Sequence, residues 1–382
     1  MPRHPDCTAS VVKMPGSIYS PSGGRHDAVD PEACPLNVGD TWLSPFEGGR
    51  MEDLAERDHP GLHRYSPTQG VPELIDAIVE KACDSNRLPC ERESVLVCAG
   101  ATSALFCAVG ALTSPGEEVL ILAPFWPLIR GIVQTCRADP VEVPFYDRVD
   151  SAETAVEAVR RHLSPRSVAL YVSTPSNPTG RVIPESWLVA ISELARRENL
   201  WLLSDEVYED YVYRGEHVSL GRFAPERTLS VYSFSKAYGM AGNRTGYLIG
   251  PPDVVAQAGK LSTHTSYAAP SAGQAAALHA MRDGGGWIAR ARESYREVGA
   301  AAAGRLKLSE PEGSTFLFVD ASRALDERGI DGLLSDCLEA GVALAPGASC
   351  GREYADWLRL CFTAAPPEDV LVAISKLARR LS

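Results

Sequence analysis

Residues 200–208 read LWLLSDEVY and give the clearest indication of the fold. Leu200–Ser204 is apolar at nearly every position, a pattern typical of a strand that is buried on both faces. Asp205 and Tyr208 follow the run directly and are three residues apart. A carboxylate at the end of a buried strand is costly unless it is paired, so Asp205 either caps the next helix or binds a cation in a cleft.

Similar apolar runs occur on both sides of this stretch, separated by longer helical segments. They are Ser94–Cys98, Glu118–Leu122, Val168–Ser173, Leu229–Ser233 and Thr245–Ile249. Alternating strands and helices predict a wound α/β domain with a mostly parallel sheet, in which ligands bind at the carboxyl ends of the strands. An amphipathic helix is predicted from Pro72.

After about residue 270 the pattern changes, and it predicts two long helices at Ala269–Arg282 and Gly286–Leu306. We therefore expect three parts along the chain. Residues 1–44 form an irregular N-terminal arm and part of the small domain, residues 45–270 the large domain, and residues 271–382 a smaller α+β domain.

The composition of the 382-residue chain excludes several classes of protein. A net charge of −12 disfavours binding to nucleic acid or to an anionic membrane surface. The sequence has no apolar run of the roughly 20 residues that a membrane helix needs, and its first residues do not form a secretory signal. The ten cysteines include no CxxC pair, which favours reduced thiols and a cytoplasmic location. No metal site is predicted, because Pro60 and Gly61 separate His59 from His63 and prevent a helical pair.

Polar or glycine-rich segments follow most of the predicted strands. They are Gly100–Leu105, Pro124–Pro127, Ser176–Gly180 and Ser233–Gly239. Each segment alone also has a plain explanation as a turn, a helix start or a core aromatic. However, Lys236 follows a buried strand, where desolvation lowers an amine pKa and makes the amine a usable nucleophile. Arg244 comes eight residues later, so a cation for a small anion is expected near this amine.

Taken together, these motifs resemble the fold type I, pyridoxal-phosphate-dependent enzymes of the class I and II aminotransferase family. The resemblance extends from about Leu36 to the C-terminus. It rests on Tyr65 to Gly70, Gly100–Leu105, Pro124–Trp126, Asn177–Gly180, Asp205–Tyr208, Ser233–Lys236, Arg244 and Arg359. It implies a large domain whose mostly parallel seven-stranded sheet lies between helices, plus a smaller α+β domain.

The resemblance also implies roles for residues that would contact the cofactor ring. Lys236 would hold pyridoxal phosphate as a Schiff base and would then shift protons as general base and acid. Asp205 would pair with the protonated ring nitrogen. Tyr208 and Asn177 would hydrogen-bond the phenolic oxygen, and Trp126 would stack on the ring.

The phosphate and the substrate would be held by a second group of residues. The phosphate ligands implied are Gly100, Ala101, Thr102, Ser233, Arg244 and, from the partner subunit of a homodimer, Tyr65. The substrate ligands implied are Arg359 for the α-carboxylate, with Gly39, Trp126 and Asn177 nearby. The implied reaction moves an amino group between an α-amino acid and a 2-oxo acid.

Departures from the usual family pattern lie on the substrate side, in Val38–Leu43, Asn243 and Gly313–Phe316. We expect Thr41, Trp42 and Thr315 to line or approach the substrate. These departures leave open a lyase, a β- or γ-elimination or replacement, or a cyclisation on the same scaffold. A regulatory module of this fold is disfavoured because the sequence shows no DNA-binding segment. A second substrate carboxylate would need a further cation, for which Arg50, Arg64 and His264 are the candidates.

Overall fold

The computed structural model describes residue 14 and residues 33–381. Residues 1–13 and 15–32 of the predicted N-terminal part, 1–44, therefore lie outside the described residues. The strands are β1 (Val95–Cys98), β2 (Glu118–Ala123), β3 (Asp139–Pro144), β4 (Ser167–Ser173), β5 (Trp201–Asp205), β6 (Thr228–Ser233), β7 (Gly246–Ile249), β8 (Phe316–Asp320), β9 (Ala345–Pro346) and β10 (Trp357–Cys361).

The α-helices include the three predicted above, with boundaries that differ by one or two residues. They are α1 (Pro72–Asp84), α2 (Gly100–Leu112), α3 (Leu128–Thr135), α4 (Ala152–Arg160), α5 (Glu185–Arg197), α6 (Phe234–Ala237), α7 (Pro252–Thr265), α8 (Ser271–Asp283), α9 (Gly285–Leu306), α10 (Gly329–Glu339) and α11 (Pro367–Arg380). None of the helices in this described part of the chain is long and apolar enough to cross a membrane.

Seven strands form the large sheet, in the order β1-β7-β6-β5-β4-β2-β3. Six of its strands run in the same direction, and β7 alone runs antiparallel to both of its neighbours, β1 and β6. The predicted α/β fold with a mostly parallel seven-stranded sheet is thus confirmed. The direction of β7 is not visible in the sequence, because a strand buried on both faces is apolar whichever way it runs.

Strand β3 is missing from the six runs predicted above. It reads DPVEVP and lies at the edge of the sheet, where it pairs only with β2 and is half-exposed. Proline is tolerated at such an edge because one side of the strand makes no ladder bonds. The two prolines and two acidic residues therefore hide a real strand from a search for apolar runs.

Helices cover both faces of the large sheet. On one face α2, α3 and α7 pack through Leu105, Ile129 and Ala258. On the other face α4 and α5 pack through Val159 and Ile191. Because both faces are covered, the central strands reach solvent only at their ends and loops. The side chains at the carboxyl ends of the strands are therefore held in place by a rigid, fully packed sheet.

The second sheet is antiparallel, with the order β8-β10-β9. It packs with α9, α10 and α11 around a separate core that includes Phe316, Leu360 and Ile374. Leu36 belongs to the same core, so the N-terminal segment joins this part of the molecule. This agrees with a smaller α+β unit, while the domain boundaries at 44/45 and 270/271 remain predictions.

Candidate active site

The side chains at the carboxyl edge of the large sheet meet in one cavity of about 290 Å³. Its lining comprises Val38, Gly39, Asp40, Ala101, Thr102, Leu105, Trp126, Leu128, Asn177, Asp205, Val207, Tyr208, Ser233, Ser235, Lys236, Ala241, Arg244, Phe316 and Arg359. Clefts of about 390 and 550 Å³ also occur, but they do not collect the strand-end residues. The smaller cavity is the candidate site because the predicted cation, anion and amine all face it.

One end of the cavity is formed by the first turn of α2. Gly100 has a φ of +79°, and an added Cβ would collide with the guanidinium of Arg244. The residue before the helix, Ala99, provides no side-chain cap, and the first N–H groups of a helix have no partner within it. The N–H groups at Ala101 and Thr102, the helix dipole and the arginine therefore suit an anion.

Arg244 is brought to this edge by the direction of β7. The strand runs antiparallel to β6, so the residues just before β7 lie beside the residues just after β6. Arg244 Nη1 donates to Ala241 O at 2.8 Å and lies 3.5 Å from Ser235 Oγ. Ser233, at the end of β6, accepts a hydrogen bond from the N–H of Ser235 at 3.1 Å. The Ser235 hydroxyl thus lies beside the guanidinium, and Ser233 lines the same cavity.

Lys236 lies in the short helix α6, directly after β6. Its Nζ donates a hydrogen bond to Gly39 O. Burial, together with the charges of Arg359 and Arg244, lowers the pKa of Lys236, although Asp40 opposes this shift. A buried lysine with a lowered pKa is neutral more often than a surface lysine, and a neutral amine attacks carbonyl groups.

Asp205 ends β5 on the floor of the cavity and is only 6% exposed. Burial raises the pKa of Asp205 to about 6, although hydrogen bonds from Tyr171 and from the N–H of Val207 oppose this shift. Tyr171 OH donates to Oδ2 at 2.5 Å, and the Val207 N–H donates to Oδ1 at 3.3 Å. These two donors do not offset burial, so a cationic ligand at this position would be stabilised strongly.

Tyr208, Asn177 and Trp126 face the same cavity from three different strand ends. Burial raises the pKa of Tyr208 well above its ordinary value, so its hydroxyl group is a donor at neutral pH. The Tyr208 ring packs edge-on against Phe316, with 5.8 Å between the ring centroids. The three side chains therefore offer hydrogen bonds and an aromatic face to a planar ligand.

Arg359 lies in β10 of the small sheet and is only 1% exposed. Its Nη2 donates to Asn37 O at 2.8 Å, and its Nη1 lies 3.3 Å from Asn177 Oδ1. The guanidinium stacks over Phe316 at 4.8 Å from the ring centroid. Such a fixed fork suits a carboxylate, and the arginine reaches the cavity from the second sheet.

Gly39 must be small, because an added Cβ would lie 2.6 Å from Phe316 Cζ. Tyr65 is the one predicted site residue that lies away from the cavity of its own chain. It is 87% exposed and contacts Tyr267, with 4.8 Å between the ring centroids. Its predicted role in a partner subunit stays a prediction.

The predicted substrate-side residues do not themselves line the cavity, and their approach to a substrate stays a prediction. Thr41 Oγ1 hydrogen-bonds Tyr295 OH, and Thr41 and Trp42 do not line the cavity. Thr315 is absent from the lining as well, and its side chain hydrogen-bonds Tyr208, which does line the cavity. The segment nevertheless supplies a lining residue that the site prediction does not include, Asp40.

Sequence reasoning also missed Ser235 and Tyr171. Ser235 was visible in the Ser-x-Ser-Lys motif, since the serine beside the lysine shares the first turn of α6. No sequence motif points to Tyr171, because it is one residue of the apolar run that forms β4. Its contact with Asp205 follows from the pairing of β4 with β5, which no local pattern encodes.

The residues present fit a small planar phosphate ester that carries a carbonyl group and a basic ring nitrogen. The first turn of α2 with Arg244 fits the phosphate, and Asp205 fits the ring nitrogen. Lys236 fits the carbonyl carbon. The unbalanced burial of Asp205 supports this fit, because a neutral ligand would leave that cost in place.

Comparisons with known proteins agree with this geometry. The profile of the family described as aminotransferase class I and II matches residues 37–377. Aspartate/prephenate aminotransferase of Thermus thermophilus is 36% identical over 335 residues, which cover 84% of each chain. A structure of Thermus thermophilus aspartate aminotransferase with maleate has a TM-score of 0.82 at 33% identity, covering 90% of this chain and 91% of that chain. A single mutant of the same aminotransferase has a TM-score of 0.87 at 31% identity, with both chains fully covered.

Proposed function

Because this chain belongs to the class I and II aminotransferase family and is an aminotransferase, we propose that it works with pyridoxal phosphate held at Lys236. The reaction class predicted from the sequence is confirmed, and the comparisons give no support to elimination, replacement or cyclisation. The observation that carries the cofactor proposal is the convergence of Lys236, Asp205 and Arg244 on one cavity. The bound cofactor supplies an aldehyde carbon that accepts the amino group and a ring that withdraws electrons from the substrate Cα.

The chain's own residues hold the two ends of that cofactor. Arg244, Ser233, Ser235 and the N–H groups at the start of α2 bind the phosphate, because they combine a fixed cation with unpaired donors. Asp205 pairs with the protonated ring nitrogen. This pair offsets the burial of the carboxylate, and it keeps the nitrogen protonated.

The substrate is held by Arg359 and is acted on by Lys236. The guanidinium binds the α-carboxylate bidentately. Its plane is kept fixed by the hydrogen bonds that it donates to Asn177 Oδ1 and to the carbonyl oxygen of Asn37. Lys236 Nζ then removes the proton from the substrate Cα. Its lowered pKa favours this step, because only the neutral amine accepts a proton.

The active form is proposed to be a homodimer in which Tyr65 of one subunit reaches the phosphate of the other. The proposal is supported by the exposure of Tyr65 and Tyr267, two adjacent aromatic rings on the surface. The cytoplasm is the proposed compartment. The nine cysteines between positions 34 and 361 are free thiols, which suits a reducing environment.

The test is to find which of the chain's six lysines carries the cofactor. Purified protein is loaded with pyridoxal phosphate and reduced with borohydride, and the labelled peptide is identified by mass spectrometry. We expect the label on Lys236. We also expect the bound-aldehyde absorbance to disappear with an amino acid and to return with a 2-oxo acid.

Lys236→Ala should lose both the label and the absorbance changes. Lys260→Ala is the matched control, since Lys260 is an exposed residue of α7 that contacts Gln257. A label on another lysine, or unchanged turnover in Lys236→Ala, would refute the assignment.

A further inference from the structure

Tyr171 stands next to Asp205 but outside the cavity. It belongs to β4, it is completely buried, and it is not among the residues that line the cavity. Its hydroxyl group donates to Asp205 Oδ2 at 2.5 Å, and Asp205 does line the cavity. Any effect of Tyr171 on a ligand in the cavity therefore passes through this carboxylate.

The position of the Tyr171 hydroxyl group is set by the sheet. Strand β4 runs parallel to β5, and their register pairs Ser173 with Asp205. Tyr171 is two residues before Ser173, so both side chains point to the same face of the strand. The tyrosine ring is part of the core beneath α2 and α3. A ring packed in this way has little freedom to turn, so its hydroxyl group holds the carboxylate in one orientation.

A buried chain of hydrogen bonds supports this donor. The Ser173 side chain hydrogen-bonds Tyr171. The backbone of Ser173 is held in turn by Tyr146, whose hydroxyl group donates to Ser173 O at 2.5 Å and accepts from the Ser173 N–H at 3.1 Å. All three residues are buried, and hydrogen bonds linked in a chain polarise one another. The chain ends at the carboxylate of Asp205.

The hydrogen bond from Tyr171 acts against the burial of Asp205. Burial raises the pKa of this carboxyl group to about 6, and the charge of Glu206 adds to the rise. Of the two contacts that oppose it, the Tyr171 hydroxyl group has the larger effect, and the Val207 N–H is farther away, at 3.3 Å. Tyr171 keeps its own proton, because burial raises its pKa well above the ordinary value. It is therefore the stronger of the two donors that favour the ionised carboxylate.

We propose that Tyr171 is a positioning residue that keeps Asp205 ionised and fixed in orientation, so that the proton shared with the cofactor stays on the ring nitrogen. The inference rests on the proposed function, since it takes Asp205 as the partner of that nitrogen. Without the hydroxyl group the carboxylate would hold the proton more tightly. The ring would then withdraw electrons from the substrate less strongly.

The experiment observes the ring nitrogen directly. Wild type and Tyr171→Phe are loaded with pyridoxal phosphate that carries nitrogen-15 in its ring, and the nitrogen resonance is recorded near neutral pH. We expect the wild-type resonance at the position of a protonated ring nitrogen, and a displacement toward the unprotonated position in Tyr171→Phe. The kcat of the variant should fall about tenfold, which is the effect of one hydrogen bond to a charged group.

Tyr232→Phe is the matched control. Tyr232 is also a buried tyrosine of the large sheet, and its hydroxyl group donates to the neighbouring carboxylate, Glu206, at 3.0 Å. This variant loses the same atom from a comparable environment, so it reports the general cost of the substitution. Its nitrogen resonance should stay at the wild-type position, and its kcat should change by less than about twofold.

A double variant shows whether Tyr171 acts through Asp205. In the Asp205→Asn background, Tyr171→Phe should lower kcat by less than about twofold, because the side chain at 205 no longer carries a charge. An equal loss in both backgrounds would assign Tyr171 a packing role only and overturn the proposal. Ser173→Ala, which weakens the donor and leaves the tyrosine in place, should displace the resonance in the same direction by a smaller amount.

The outcomes separate this inference from the proposed function. If the wild type binds no cofactor, or if the cofactor is not held at Lys236, the proposed function itself fails. If the wild type binds the cofactor at Lys236 and turns over, but the resonance stays at its wild-type position in Tyr171→Phe, only the role of Tyr171 is overturned. Should Tyr171→Phe not fold, an unmoved resonance in Ser173→Ala overturns that role in the same way.

Discussion

Asp205 and Glu206 are neighbours in the sequence and are both buried, yet their carboxyl groups behave in opposite ways. Asp205 faces the cavity, and burial raises its pKa to about 6. Burial alone would also raise the pKa of Glu206, but the hydrogen bond and charge of His217 outweigh burial and hold that pKa below its ordinary value. The difference lies in the number of donors that each carboxylate has.

Glu206 is surrounded by donors beneath the cavity floor. Its carboxylate accepts hydrogen bonds from Ser204 Oγ (2.7 Å), Ser219 Oγ (2.9 Å), Ser230 Oγ (3.3 Å), Tyr232 OH (3.0 Å) and His217 Nε2 (2.8 Å). Burial alone would lower the pKa of His217, but Glu206 raises it, so the two form a buried ion pair. A buried carboxylate with this many hydrogen-bond donors stabilises the fold.

The same cluster brings together three possible metal ligands, Glu206, Glu209 and His217. Glu209 already accepts hydrogen bonds from Lys81 Nζ at 2.7 Å and from Asn86 Nδ2 at 2.6 Å. Its charge and that of Glu206 are therefore balanced by protein cations. Asp205, by contrast, is a buried carboxylate whose charge is not balanced without a ligand.

The largest expected effect comes from removing the charge of Asp205. Asp205→Asn should lower kcat by a factor on the order of 10²–10³, since one fixed charge at a reacting group supplies about that much. Tyr171 would still have an acceptor, so the fold should remain. Steady-state kinetics with a saturating amino acid would measure the effect, with circular dichroism as the check on folding. Wild-type turnover in Asp205→Asn would show that the charge of Asp205 does not act on the bound ligand.

The second largest expected effect is a loss of folding stability when the charge of Glu206 is removed. Glu206→Gln should lower the free energy of unfolding by roughly 3 kcal/mol at pH 7, because His217 would be left buried without its partner charge. Urea unfolding followed by fluorescence would measure it, with Glu193→Gln as the matched surface control.

The pH dependence of this loss has a definite sign. The folded-state pKa of Glu206 is lowered, so its stabilising contribution is present above its ordinary pKa of 4.5 and is lost as the pH falls through the lowered value. His217 adds a contribution of opposite sign at higher pH, because Glu206 raises the pKa of His217 and burial alone would lower it. The gap between wild type and Glu206→Gln should therefore widen as the pH falls through the ordinary histidine pKa of 6.5, and shrink only as the pH falls through the lowered pKa of Glu206. A gap that does not change between pH 8 and pH 5 would contradict the buried ion pair.

The smallest expected effect is a change in the stability of the cofactor-free protein, and it again comes from Asp205. In the cofactor-free protein its folded-state pKa is raised from 3.8 to about 6, so the folded state binds the proton more tightly than the unfolded chain. Its charge therefore costs stability as the pH rises. Between pH 4 and pH 8, Asp205→Asn should gain roughly 2 kcal/mol relative to wild type.

Unfolding of the two cofactor-free proteins at both pH values would measure this gain. Loading the wild type with pyridoxal phosphate should remove its disadvantage, because the ring nitrogen then balances Asp205. An equal difference at pH 4 and pH 8 would show that the carboxylate is already balanced without a ligand.

Most of the cofactor side of the site was predictable, because each residue stands at a fixed place relative to its own strand. Lys236 follows β6 and Asp205 ends β5, and parallel neighbours end at the same edge of a sheet. Tyr171 and Ser219 were not predictable, because they reach these carboxylates across strand pairings and loops. Asp40 was quoted in the sequence but its position in the cavity wall was not foreseen.

The sequence by itself determined the alternation of buried strands and helices, the family, and the order of the cofactor residues along the chain. These features are local, since burial on both faces and turn chemistry are written in short runs. The direction of β7 came only from the tertiary structure, and it explains how Arg244, expected near Lys236, comes beside the residues that follow β6. The tertiary structure also decided that Glu206 is satisfied while its neighbour Asp205 is not, because successive side chains of a strand point to opposite faces and meet different partners.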